Sequence, residues 1–151
     1  MSFSAEDGGQ VSSATLDVLP QAPINLGTSS QSGQIIYFGT EQTSSNSVEA
    51  SALAGNTFVK WVIVEDGTET DITPGTPVTK EMTFLARFEK QTYTLTFEGV
   101  QDQGSVSKTS LTNIAYGTKI ELDGNDIFFG ESKGTDNYVS PVPNTGFSFV
   151  E

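Results

Sequence analysis

Alternation of apolar and polar residues is the clearest structural signal in this chain. Residues 92–97 alternate threonine with large apolar side chains, which is typical of a half-buried β-strand. Residues 82–88 show the same period of two. Their predicted inward faces consist of Tyr93, Leu95 and Phe97 in one segment and of Met82, Phe84, Ala86 and Phe88 in the other. A short polar break at residues 89–91 separates them, so they are predicted to be consecutive strands.

Residues 58–65 are apolar on both faces, which is typical of a central strand. Strict alternation predicts one face made of Phe58, Lys60, Val62 and Val64, and an opposite face made of Val59, Trp61 and Ile63. Trp61 is therefore predicted to anchor a core or the contact between two sheets.

Turn signals divide the rest of the chain. The sequence Asp123-Gly124-Asn125-Asp126 lies between the alternating segment 119–122 and the apolar segment 127–129 and predicts a hairpin. Residues 47–54 contain good helix formers, but the matching residues 138–145 include two prolines, which exclude a regular helix. Both stretches are therefore predicted to be extended or irregular. The expected fold class is mainly β, with little or no helix.

An internal repeat organises the sequence. A shift of 91 positions aligns residues 33–60 with 124–151 without a gap, and nine positions are identical where composition alone gives about two. The pairs are Gly33/Gly124, Ile36/Ile127, Phe38/Phe129, Gly39/Gly130, Asn46/Asn137, Val48/Val139, Gly55/Gly146, Phe58/Phe149 and Val59/Val150. Further upstream the alignment pairs Gly9, Val11, Ser12 and Leu16 with Gly104, Val106, Ser107 and Leu111, and Ile24, Gly27 and Thr28 with Ile114, Gly117 and Thr118.

The repeat predicts two β-rich modules, a complete one at residues 1–91 and a second one at 92–151 that is truncated at its C-terminal end. The second module has no counterpart of residues 61–91. It is therefore expected to leave a sheet edge and part of an apolar face uncovered, which favours self-association or packing on a neighbouring module.

Charge and composition exclude several functions. Seven basic and nineteen acidic residues give a net charge of −12, which disfavours nucleic acid and anionic membrane surfaces as partners. The chain has no cysteine and no histidine, so thiolate or imidazole catalysis and ordinary zinc sites are excluded. No segment is long and apolar enough to span a membrane, and the N-terminus does not resemble a signal peptide.

Two short motifs resemble a known family. Residues 55–61 read G-x-x-F-x-x-W and residues 78–88 read V-T-x-x-x-T-F-x-A-x-F. Together with residues 93–97 and 116–118 they resemble the Listeria/Bacteroides-type repeat, the internalin B-repeat superfamily of bacterial surface proteins. The resemblance implies tandem small β-grasp-like modules, or β-sandwich-like ones, that act as stalk, spacer or adhesive elements. It brings no catalytic, cofactor-binding or metal-binding residue.

The sequence offers five candidate functional sites, and a simpler structural interpretation competes with them. Trp61 could stack on a sugar, but its apolar strand favours a core position. The turn at residues 123–126 lacks the rest of a calcium loop, and an acidic loop with Glu65, Asp66, Glu69 and Asp71 is more often simply solvated. No carboxylate pair stands out as that of a glycosidase. Lys60, Lys80 or Lys119 could form an isopeptide bond with a buried asparagine.

The sequence thus predicts a non-enzymatic, extracellular repeat of a surface protein, Gram-positive by resemblance, with no cofactor. The parent protein is expected to be secreted or wall-anchored. The expected partners are neighbouring repeat modules and a host protein or glycan. Two alternatives remain, a subunit of a surface filament assembled by strand pairing between chains and an adhesin module that binds a glycan or a protein.

Overall fold

The protein is all-β and divides into two compact units. The computed structural model describes residues 1–150, except for the side chain of Ser32, and contains no helix in that part of the chain. Unit 1 is Met1–Lys90 and unit 2 is Gln91–Glu151. Glu151, the last residue of the second predicted module, lies outside the described residues. The mainly β fold class is confirmed, and none of the described residues belongs to a helix that could cross a membrane.

Unit 1 consists of eight strands in two four-stranded sheets. The strands are β1 (Ser2–Ala5), β2 (Gly9–Val11), β3 (Ile24–Thr28), β4 (Ser32–Phe38), β5 (Ser47–Ala52), β6 (Asn56–Glu65), β7 (Thr68–Asp71) and β8 (Thr83–Lys90). One sheet has the order β1-β8-β6-β7 and the other β2-β5-β4-β3. This two-sheet arrangement is the sandwich-like form of the predicted module. Residues 47–52 are extended, as the prolines of the matching segment predicted.

A single apolar core joins the two sheets of unit 1. It contains Phe3, Ile24, Ile36, Phe38, Val48, Ala50, Phe58, Trp61, Val78, Phe84, Ala86 and Phe88. The ring of Phe84 stacks on Phe3 at a centroid distance of 5.2 Å and meets Phe38 edge-on at 5.7 Å. Aromatic pairs in these geometries add to the free energy that burial alone supplies.

Strict alternation is wrong for β6. The strand has a bulge between Phe58 and Lys60, which inserts one extra residue opposite β8 and shifts the side-chain phase. Phe58 and Trp61, predicted to face opposite ways, are therefore both buried, and their ring centroids lie 6.4 Å apart. Val59 and Lys60, on the bulge, are exposed.

Strand β8 lies at the centre of its sheet, antiparallel to β6 and parallel to β1. The predicted inward face is confirmed, because Phe84 and Ala86 are fully buried and Phe88 nearly so. The ring of Phe88 covers Gly9 so closely that a Cβ at that glycine would lie 2.1 Å from it. It also meets Phe58 edge-on at a centroid distance of 5.8 Å.

The carboxylate of Glu6 ties β8 to the end of β1. It accepts a 2.8 Å hydrogen bond from the backbone amide of Phe88 and forms an ion pair with Arg87. Arg87 also pairs with Glu69 at 2.9 Å. Desolvation acts to raise the pKa of Glu6, but the hydrogen bonds from Phe88 and Arg87 outweigh it, so the pKa of Glu6 is lowered.

This lowered pKa predicts a pH-dependent contribution to stability. Because the folded state holds the Glu6 carboxylate ionised, its contribution is complete above the ordinary glutamate pKa of about 4.3 and is lost as the pH falls through the lower folded value. Glu6→Gln should therefore destabilise unit 1 at pH 7, and its difference from the wild type should shrink toward pH 3. Thermal melts across this range, with the exposed Glu41→Gln as control, test it. A difference that is independent of pH would contradict the assignment.

Unit 2 consists of seven strands in three small sheets. They are β9 (Thr92–Thr96), β10 (Gly104–Val106), β11 (Ser110–Ala115), β12 (Ile120–Asp123), β13 (Asp126–Phe129), β14 (Tyr138–Val139) and β15 (Pro141–Pro143). Strand β9 pairs with β11, β10 with β15, and β13 lies between β12 and β14. Its buried core is small and consists of Leu111, Phe129 and Val139.

The structure corrects the repeat alignment at one place. Ile24 pairs with Phe38 in unit 1, and Phe129, the counterpart of Phe38, pairs with Ile120 in unit 2. The structural counterpart of Ile24 is therefore Ile120 and not Ile114, as the sequence alignment predicted. Ile114 belongs to β11, which pairs with β9. Strands β3 and β12 thus occupy the same position in the two units although their spacing along the chain differs.

Candidate functional site

Trp61 is a core residue. Its indole is 2% exposed and donates a 3.0 Å hydrogen bond from Nε1 to the backbone oxygen of Gln34. Phe3 and Phe58 lie against the ring system at centroid distances of 6.2 and 6.4 Å. A side chain enclosed in this way offers no face for stacking on a sugar.

Three of the four acidic residues at 65–71 pair with separate basic side chains, and the four carboxylates do not converge. Asp71 contacts Lys60 at 2.6 Å, Glu65 pairs with Lys80, and Glu69 pairs with Arg87. Among the described residues, no three carboxylates come close enough together to hold a metal ion. These pairs lie on the surface, where each contributes little to stability.

Residues 123–126 form the predicted hairpin turn between β12 and β13. The side chains of Asp123 and Asp126 both bind the ammonium group of Lys133, which lies 4.9 Å from the centroid of the Tyr138 ring. The hydrogen bonds that Lys133 donates, first to Asp126 and second to Asp123, raise the pKa of Lys133. The hydrogen bonds that Asp126 accepts from Lys133 and Ser140 lower the pKa of Asp126. The ammonium group of Lys133 thus occupies the place that a metal ion would take beside these two carboxylates. The sequence prediction did not include Lys133.

The three lysines considered for an isopeptide bond are exposed and bind carboxylates. Lys60 and Lys80 form the pairs described above, and Lys119 contacts Glu131 at 2.8 Å. Their contacts are those of surface ion pairs.

The repeated polar residues hold the backbone in the same way in both units. Asn46 donates 2.9 Å hydrogen bonds to the oxygens of Phe38 and Glu41 and accepts one from the amide of Thr43. Asn137 makes the same three bonds at positions shifted by 91, to Phe129, Ser132 and Gly134. Likewise Ser12 accepts from the amide of Glu49 at 2.9 Å, and Ser107 accepts from that of Ser140 at 2.8 Å. These repeated polar side chains preserve loop and strand geometry.

A groove of about 290 Å³ in unit 2 is the candidate functional site. Its floor combines strands β10 and β15 with the segment that follows Asn144. Its lining includes Gly104, Val106, Pro141, Val142, Pro143 and Phe149. Apolar surface of this kind, open to solvent within a small unit, is a feature of binding sites.

Unit 1 shows what covers the equivalent surface. Strands β10 and β15 pair Gly104 with Pro143, as β2 and β5 pair Gly9 with Ala52. Two residues that lie against the Phe88 ring are Gly9 and Phe58. Their counterparts in the sequence repeat are Gly104 and Phe149, and both of these line the groove. The groove therefore lies where β8 lies in unit 1.

Exposure is the same in both units at some repeat positions and differs at others. Phe38 and its counterpart Phe129 are each 5% exposed. Phe58 is 6% exposed, whereas its counterpart Phe149 is 41% exposed. Ile24 is fully buried, whereas its structural counterpart Ile120 is 63% exposed. Unit 2 thus keeps buried positions on the counterparts of β4 and β5, and it exposes positions that β3, β6 and β8 help to bury in unit 1.

The protein is thus an all-β protein of two units that share an internal sequence repeat, and the second unit carries the groove. Comparison with known protein families, with characterised proteins and with solved structures gave no match.

Proposed function

We propose that this chain is a non-enzymatic repeat segment of a bacterial cell-surface protein, which spaces or presents other domains outside the cell. The observation that carries the proposal is the identical use of Asn46 and Asn137, each of which fixes the same loop by the same three hydrogen bonds. Duplication of fold-supporting residues is the property of tandem repeats, in which each unit contributes its own stability.

The motifs at residues 55–61 and 78–88 support the same proposal. In the structure they supply core positions of β6 and β8, among them Phe58, Trp61 and Phe84. A spacer requires motifs that specify packing, because it must fold stably and keep a constant length. The resemblance to the Listeria/Bacteroides-type repeat adds the extracellular location to the proposal.

Force spectroscopy on the whole chain tests the spacer function. Stretched between its ends, the chain should unfold in two steps, one for each unit, with length gains of about 300 Å for unit 1 and about 200 Å for unit 2. Phe84→Ala should lower the force of the longer step alone. A single step, or a longer step that this substitution leaves unchanged, would contradict two mechanically separate units.

A parallel assay separates the spacer from an enzyme or an adhesin. No turnover is expected in a broad panel of hydrolase substrates, and activity that disappears when one carboxylate is removed would overturn the non-enzymatic assignment. Saturable binding to a glycan array or to host proteins would favour the adhesin alternative instead. The net charge of −12 leads us to expect that any such protein partner presents a basic surface.

A further inference from the structure

We propose that strands β1 and β8 form a mechanical clamp, which keeps unit 1 folded when tension passes along the chain. The inference deepens the spacer function and rests on it for the source of that tension. The observation that carries it is the placement of the first and last strands of the unit. Strands β1 and β8 lie side by side and run parallel, and every residue of β1 has a register partner in β8.

The parallel pairing decides how tension acts on this contact. Tension along the backbone pulls β1 toward its N-terminal end and β8 toward its C-terminal end. Because the two strands are parallel, these pulls are opposed and directed along the strand axes. The evenly spaced hydrogen bonds of a parallel ladder are then loaded together. If the strands were pulled apart at one end, the same bonds would open one after another.

Backbone and side-chain bonds join the two strands from one end of β1 to the other. The amide of Ser2 donates a 3.1 Å hydrogen bond to the oxygen of Met82, and that of Glu6 donates one of 3.1 Å to Ala86. The carboxylate of Glu6 adds its 2.8 Å bond from the amide of Phe88. Movement of β1 along β8 must therefore break contacts at both ends of the strand.

The side chain of Phe3 fixes the position of β1 along β8. Its ring is 4% exposed and stacks on Phe84 at a centroid distance of 5.2 Å. It also lies edge-on to Phe38 at 6.0 Å and to Trp61 at 6.2 Å. A slip of one residue would turn this ring to the other face of the sheet. Displacement of β1 thus removes buried aromatic contacts as well as hydrogen bonds.

Unit 2 provides an internal reference without this contact. Among the described residues of unit 2, its first strand β9 pairs with β11 and its last strand β15 pairs with β10, both antiparallel. No register in this part of the chain joins the first strand of the unit to the last. We therefore expect unit 2 to unfold at a lower force than unit 1.

Two pulling directions on the whole protein test the clamp. The chain has no cysteine, so introduced cysteines define where the handles attach. Ser2→Cys with Lys90→Cys, at exposed positions, loads β1 and β8 along their length. Ser2→Cys with Glu81→Cys, also exposed, pulls the adjacent N-terminal ends of the two strands apart. The first pair should unfold unit 1 at a force higher by about twofold or more, because its bonds resist together.

Matched core variants separate mechanical resistance from equilibrium stability. Phe3→Leu changes the ring that β1 inserts beside β8, whereas Val48→Ala changes a fully buried residue of β5 in the other sheet. Both should lower the equilibrium stability of unit 1, as core truncations do. Only Phe3→Leu should clearly lower the force measured between residues 2 and 90, because forced unfolding depends on the contacts that break first.

Three results would overturn the clamp. They are equal forces in the two pulling directions, an equal loss of force in the two core variants, and unfolding of unit 1 before unit 2 in the chain stretched between its ends. Each of these leaves two unfolding steps, so the spacer function would stand without the clamp. Turnover or saturable ligand binding would instead overturn the spacer function and leave the measured forces unchanged.

Discussion

Replacement of Trp61 by alanine is expected to lower the free energy of unfolding of unit 1 by about 3 to 5 kcal/mol, the range for a large aromatic removed from a core. The indole is 2% exposed and lies between Phe3 and Phe58, so its removal leaves a cavity in the centre of the unit. It also leaves the backbone oxygen of Gln34 without the donor that Nε1 provides. A loss of this size is a large fraction of the stability of a small domain.

Two controls separate packing from other effects. Trp61→Phe keeps most of the buried ring and should cost clearly less than the alanine variant, and Val59→Ala, on the exposed bulge, should cost less than about 0.5 kcal/mol. Hydrogen exchange measured residue by residue reports the stability of each unit separately. Unit 2 should keep its protection in all three variants. A loss below about 1 kcal/mol for Trp61→Ala would show that the two sheets do not depend on this anchor.

Period-two patterning predicted the strands because each sheet of unit 1 buries one face. In β8 the alternation holds without interruption, and its predicted inward residues are buried. In β6 it fails at one place, because the bulge after Phe58 changes which residues share a face. The bulge depends on how β6 pairs with β8, and the sequence of β6 alone does not specify that pairing.

The repeat predicted equivalent positions as long as no loop changed length between the units. Over β4 and β5 the shift of 91 holds down to single hydrogen bonds, as Asn46 and Asn137 show. Ahead of β12 the spacing differs, and the alignment chose Ile114 because its neighbours matched by residue type. Strand pairing places Ile120 there instead, since the position opposite Phe129 is set by register.

Sequence patterns predicted candidate sites one segment at a time, whereas the surface ion pairs join a segment to residues outside it. Glu69 pairs with Arg87, and the turn carboxylates bind Lys133. The groove of unit 2 has its signal in the repeat, through Gly9/Gly104 and the absence of a β8 counterpart among the described residues of unit 2. The shape of the groove could not be predicted from the sequence, because the pairing of β10 with β15 joins residues about forty positions apart in the chain.

The same repeat position is expected to respond very differently in the two units. Phe58→Ala should destabilise unit 1 by about 3 to 5 kcal/mol, because the ring is 6% exposed and packs on Trp61 and Phe88. Phe149→Ala should destabilise unit 2 by less than about 1 kcal/mol, because its 41% exposed ring faces an open groove. Equilibrium denaturation read by hydrogen exchange in each unit measures both values. If Phe149→Ala proves as destabilising as Phe58→Ala, the ring of Phe149 is packed within unit 2 and this repeat position does not differ between the units.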